Sequence, residues 1–195
     1  QADHETALAK YRRALELDPS YSELAVKVAF ELAKRNDASG GIQVLKDAVK
    51  ASPKEALPLI YLSQLYSKHL KKPDLALKYA EQAVALDPTQ IAAHLCVLEV
   101  LLSTGQQKRA EQALERALKS KTDDAMYWLQ IGEVYERMYL TEDDAAIPPD
   151  KLEKMNGLFR KAAELGKKDA VIQAKVGNYF VDTKQLKEGV SYYLA

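Results

Sequence analysis

Cysteine is nearly absent: Cys96 is the only one in 195 residues. No internal disulfide can form, and no metal site built from several cysteines exists. A lone thiol is compatible with the cytosol but assigns no compartment. Neither sign of charge is in excess, since 28 Lys and Arg balance 28 Asp and Glu. A protein that grips a phosphate backbone carries a basic surplus or a basic stripe, so nucleic acid is not an expected partner. Long apolar runs are missing too. The longest, from Ile91 to Leu102, is broken by His94 and Glu99. It falls short of the roughly 20 apolar residues that cross a bilayer, and direct membrane insertion is not expected. The sequence opens on Gln1 and stops inside a helical pattern, with no basic-then-apolar leader, so it reads as a piece of a longer chain.

The residues of chemistry are equally sparse. Three histidines, His4, His69 and His94, lie far apart with no paired ligand spacing. His94 and Cys96 are two residues apart, so on a helix they face different sides and do not share a metal. Gly40 and Gly41 lack the Lys-Ser/Thr sequel of a phosphate-cradling loop. Asp123-Asp124 and Asp143-Asp144 fall at predicted turns, where acids cap free N–H groups and complement the helix dipole. The expectation is a protein without catalysis, cofactor or metal.

What is present is a period. Pro19, Pro53 and Pro88 are separated by 34 and 35 residues, and they close the phrases Ala-Leu-Glu-Leu-Asp-Pro, Ala-Val-Lys-Ala-Ser-Pro and Ala-Val-Ala-Leu-Asp-Pro. The residue before a proline is pushed out of the α region, so each phrase ends a helix. Between the prolines, Ala7, Tyr11 and Ala14 share one helical face by their spacing of four and three. The same face returns as Gly41, Leu45 and Ala48, as Ala76, Ala80 and Ala83, and as Ala110, Leu114 and Ala117. Small residues at the outer two places allow neighbouring backbones to approach. Another stripe marks the preceding helix of each unit, clearest at Trp128, Ile131, Gly132 and Tyr135.

Trp128-Leu-Gln-Ile131-Gly132-Glu-Val-Tyr135 resembles the first half of the tetratricopeptide signature. Ala7 to Tyr11, followed by Ala14 and Pro19, resembles its second half. The matches recur in register over nearly the whole chain. The resemblance implies an all-α fold, a right-handed α-solenoid of stacked antiparallel helix pairs with about eleven helices, as one array over 1–195. Residues 1–21 supply the second helix of a truncated first repeat. Full repeats follow at 22–55, 56–90, 91–124 and 125–169, and 170–195 is a truncated sixth. The third unit has one extra residue near Lys71-Lys72-Pro73-Asp74, which lengthens a turn. The fifth carries an insertion at 139–150 with Glu142-Asp143-Asp144 and Pro148-Pro149. It is expected as an exposed acidic loop, with contact to a groove or partner as the alternative.

The resemblance also implies a function: a scaffold that holds a protein or peptide segment in the concave groove lined by the first helices. The alternative is a self-association or tethering segment of a larger multidomain protein, which leaves a homo-oligomer open. The inner stripe offers Phe30, Leu57, Ile60, Tyr61, Gln64, Leu95, Glu99, Met126, Leu129, Glu133 and Asn178 as partner-binding candidates. Ile60, Tyr61, Leu95, Met126 and Leu129 are expected as an apolar floor, Glu99 and Glu133 as an acidic side. The competing expectation is that these apolar residues thicken the core, because a helical apolar stripe is usually packing. Some relatives grip an acidic carboxyl terminus with Lys, Asn and Arg on three successive first helices. The opening units here lack that set, and only Lys175 and Asn178 hint at it.

Overall fold

The computed structural model describes residues 2–139 and 147–194, with side chains from residue 6 onward. Eleven α-helices and no strand occur among the described residues. They fall into two units, Gln1–Glu115 and Arg116–Ala195.

The first unit holds α1 (Ala2–Leu17), α2 (Ser22–Lys34), α3 (Ala38–Ala51), α4 (Leu57–Lys68), α5 (Pro73–Leu86) and α6 (Ile91–Ser103). Helix α7 (Gln107–Ala117) begins in it and ends in the second. The second unit holds α8 (Ala125–Tyr139), α9 (Pro149–Leu165), α10 (Ala170–Asp182) and α11 (Leu186–Tyr193). Within the first unit α2 pairs with α3 and α4 with α5; within the second, α8 pairs with α9 and α10 with α11. Successive pairs stack through α3 on α4 and through α9 on α10.

Local chemistry sets these boundaries. In both Leu-Asp-Pro phrases the aspartate folds back on the turn. Asp18 accepts from Ser20 N at 3.0 Å and Asp87 from Thr89 N at 2.9 Å. Asp37 caps α3 by accepting from Gly40 N at 2.8 Å, and Asp169 caps α10 by accepting from Val171 N at 2.9 Å. Pro73 and Pro149 open α5 and α9, where a missing N–H costs nothing. Inside the pairs, the turn after the first helix uses a residue in the left-handed region: Asn36, Lys71, Gly105 and Lys184. Backbone bonds from Asp37 N to Leu32 O, Gln106 N to Leu101 O and Gln185 N to Phe180 O close a Schellman-type cap at three of them. At the turn with the extra residue the bond runs from Lys72 N to Tyr66 O, one residue longer.

Small residues permit the close pairing. A β-carbon on Gly41 would stand 2.7 Å from the carbonyl oxygen of Ala29, so α2 and α3 meet backbone to backbone. Ala48, Ala76, Ala80, Ala83, Ala110 and Ala117 are all buried. Ala14, at the equivalent place in α1, is exposed. The face is the same, but no helix precedes α1 among the described residues to cover it. Leu8 carries the contact there, packed with Val28 and Leu32. Large side chains fill the remaining interior: Tyr127, Tyr135, Phe159 and Phe180 are fully buried in the second unit. Phe159 and Phe180 each contribute about 1.5–3 kcal/mol of hydrophobic stabilisation.

Most of the 139–150 insertion, including Glu142-Asp143-Asp144, lies outside the described residues. Its end is helical. Helix α9 starts six residues before Met155, whereas α7 starts three before the equivalent Ala110, so part of the insertion is spent on an additional turn of helix.

Candidate partner-binding face

In the first unit, α4 touches α2 and α6 touches α4, in addition to the hairpin contacts. The first helices of successive pairs therefore lie side by side and share a face. Phe30 of α2 is 37% exposed, and its ring meets Tyr61 of α4 edge-on, with centroids 5.4 Å apart and planes at 82°. That pair joins two neighbouring helices, with Phe30 exposed and Tyr61 half-buried. Leu57, Gln64 and Leu95 are half-buried beside it, and Glu99 is exposed. Lys27 lies over the Tyr11 ring at 4.8 Å.

Beneath this surface, Cys96 is buried. Its sulfur is 3.9 Å from Gln64 Nε2 and 4.0 Å from the carbonyl oxygen of Ile60, long contacts of a weak donor and acceptor. Burial pushes the thiol pKa up, opposed by the Gln64 contact and reinforced by the Glu99 charge. A raised thiol pKa and lack of access make Cys96 a packing residue, not a nucleophile. Glu99 pairs with Lys68 at 3.7 Å, both half exposed, a contact of little energetic weight. Lys68 follows Gln64 by four residues, so the same helical spacing that identified Gln64 also reaches it.

Ile60 and Leu129 do not belong to an apolar floor. They are 1% and 0% exposed. Each fell on the inner stripe by spacing, but a stripe more than one residue wide includes positions already covered by neighbouring helices. Both side chains are packed into the interior.

The second unit places Met126, half-buried, in the first turn of α8, where Asp124 caps its N–H at 2.8 Å. Glu133 is bound by Lys175 at 2.6 Å. Tyr193 donates its hydroxyl to Asn178 Oδ1. Lys175 and Asn178, the two hints of a carboxylate clamp, thus have partners inside the unit. Glu136 has its pKa raised by burial, and further by the charges of Asp182 and Glu133. Trp128 donates from Nε1 to Thr122 O at 2.9 Å, and Lys161 sits over its ring at 3.3 Å. His94 holds the same position in the first unit, with Nε2 2.9 Å from Pro88 O. Histidine there is a tether between a first helix and the turn before it.

Among the described residues, no group of three or more His, Cys, Asp or Glu is arranged to hold a metal ion. No helix is long and apolar enough to cross a membrane.

Comparison with known proteins agrees with this architecture. Residues 69–130 match the family model described as tetratricopeptide repeat. A TPR repeat-containing protein of Treponema pallidum (strain Nichols) is 24% identical over 197 residues, covering 100% of this chain and 22% of its own length. The human protein O-mannosyl-transferase TMTC1 is 25% identical over 186 residues, covering 85% of this chain and 21% of its own. The chain thus spans about a fifth of the length of the curated relatives it matches. Among solved structures, TTC0263, a thermophilic TPR protein of Thermus thermophilus, superposes with a TM-score of 0.60 at 20% identity, over 91% of this chain and 90% of that one. A repeated small-residue face and recurrent helix hairpins agree with the family-model match: the chain carries tetratricopeptide repeats, matched over residues 69–130.

Proposed function

We propose that this chain is a non-catalytic scaffold that holds a partner's segment against the first-helix face of its amino-terminal unit. Phe30 and Tyr61 form the centre, with Leu57, Gln64, Leu95 and Glu99 around them. The aromatic pair carries this reading. Aromatic side chains supply large contact area at low entropic cost and dominate binding hot spots. Here two of them meet on adjacent helices, Phe30 exposed and Tyr61 half-buried. Tetratricopeptide arrays in general act as interaction scaffolds, which supports the coarse function. The repeat bounds 22–55, 56–90, 91–124, 125–169 and 170–195 belong to the same proposal. Met126, Glu133 and Asn178 are its candidates in the second unit.

The test is capture of a partner by the intact protein, repeated with Phe30→Ala/Tyr61→Ala and with Leu95→Glu. These positions are partly open, so the variants should keep native helicity and lose about tenfold or more in affinity. Leu129→Glu serves as contrast, because a charge at a fully buried site should unfold the chain. Undiminished capture by folded Phe30 and Tyr61 variants would exclude this face.

A second reading is a tethering array beside a catalytic domain in a longer protein. Its support is the small share of each relative that aligns, one of them named as a mannosyl-transferase. Light scattering over a concentration range separates the self-associating form of that reading from a monomeric scaffold.

A further inference from the structure

A cavity of about 340 Å³ opens in the second unit between the α9–α10 turn and the end of α11, lined by Lys167, Lys168, Ala170, Gln173, Ala174, Tyr192 and Tyr193. Lys167 and Lys168 are exposed, and neither forms an ion pair among the described residues. The polar groups around them are already committed. Asp169 accepts from Val171 N and Ile172 N at 2.9 and 3.3 Å, so its carboxylate serves the helix end. Gln173 Nε2 donates to Ala163 O at 2.9 Å and to Gly166 O at 3.0 Å. Tyr192 donates its hydroxyl to Glu188, and Tyr193 to Asn178. With the phenol oxygens tied down, the two tyrosines offer ring carbon to the cavity, beside the methyl groups of Ala170 and Ala174. The outcome is an apolar recess with two uncompensated ammonium groups at its mouth.

We propose that this recess is a docking site, separate from the Phe30–Tyr61 face, for an acidic peptide segment. A Glu or Asp carboxylate sits between Lys167 and Lys168, and an adjoining apolar side chain rests on the Tyr192 and Tyr193 rings. Clustered basic groups recognise acidic motifs by charge, and the aromatic wall adds the side-chain preference. A nucleic acid fits less well. It needs a stripe of cations to neutralise successive phosphates. Here Asp169 adjoins the two lysines in the chain, and the sequence as a whole carries no net positive charge.

The probe is the peptide Glu-Glu-Phe-Glu-Glu, acetylated and amidated, titrated into the isotopically labelled chain and followed by amide and aromatic NMR shifts. Shifts should appear at Ala170, Gln173 and Ala174 and in the Tyr192 and Tyr193 rings, and weaken as salt is raised. Lys167→Glu/Lys168→Glu should lower affinity about tenfold or more while the melting temperature is kept. Lys167→Gln/Lys168→Gln gives the same comparison without adding negative charge. Equal affinity in either folded double variant overturns the proposal, as does the absence of shifts at these residues. Tighter binding of oligouridine than of the peptide would assign the recess to nucleic acid, and identical shifts from inorganic phosphate alone would remove the apolar half of the recognition. The Phe30 and Tyr61 variants leave this titration unchanged, so failure of one site is distinct from failure of the other.

Discussion

Phe159 fills the space that a side chain at Gly132 would need. A β-carbon at Gly132 would stand 3.1 Å from the Phe159 ring, and that ring stacks on Tyr179 with centroids 3.7 Å apart. Three helices, α8, α9 and α10, therefore meet through one missing side chain and two flat ones.

Gly132→Leu should be destabilising by about 1–3 kcal/mol, because the inserted atoms displace a fully packed ring. The melting temperature followed by circular dichroism should fall by several degrees. An unchanged melting temperature would contradict the close approach of α8 and α9. Phe159→Leu placed on the same background should recover part of the loss, since the two positions compete for one volume.

Arg160 and Glu188 link α9 to α11 with two short bonds, Nε to Oε1 at 2.7 Å and Nη2 to Oε2 at 2.9 Å. The hydrogen bond from Arg160 holds the Glu188 carboxyl below its ordinary pKa, with burial opposing. A depressed folded-state pKa contributes stability above the unfolded value, and that contribution disappears as pH falls through the lowered one. Glu188→Gln should therefore cost at most about 1 kcal/mol at neutral pH, since the pair is partly open to water and screened by it. The difference from the parent chain should vanish in strongly acidic solution. Urea unfolding at several pH values reads this directly, and a difference that persists equally in acid would assign the effect to packing.

Cys96 gives a third test. Its burial and raised pKa predict slow reaction with a disulfide reagent in the native chain and prompt reaction once denaturant opens α6. Prompt reaction under native conditions would mean that α6 is not held between its neighbours. Partner binding on the adjacent Gln64 and Leu95 surface should slow the native rate further, because closing that face suppresses local opening.

Sequence periodicity was sufficient for the helix pairs. Asp-Pro phrases mark helix ends through a backbone restriction that acts locally, and Ala or Gly at spacing four and three marks the face that must approach another helix. Both are properties of neighbours along the chain, so Gly41, Ala80 and Ala117 were legible as packing positions. The exposed state of Ala14 was not, because it depends on what lies against α1 and not on α1 itself.

The candidate face divides along the same line. Spacing put Ile60 beside Tyr61 and Leu129 beside Met126 on an inner stripe, and it could go no further: a helix turns 100° per residue, and burial depends on how closely the next helix lies. Only the packed structure enclosed Ile60 and Leu129, left Phe30 exposed and Tyr61 half-buried, and used up Lys175 and Asn178 in bonds to Glu133 and Tyr193. The order of helices and their contact faces followed from residues a few places apart in the chain. Which side chains remain available to a partner was decided by contacts between different helices, such as Lys175 with Glu133 and Asn178 with Tyr193, which only folding brings together.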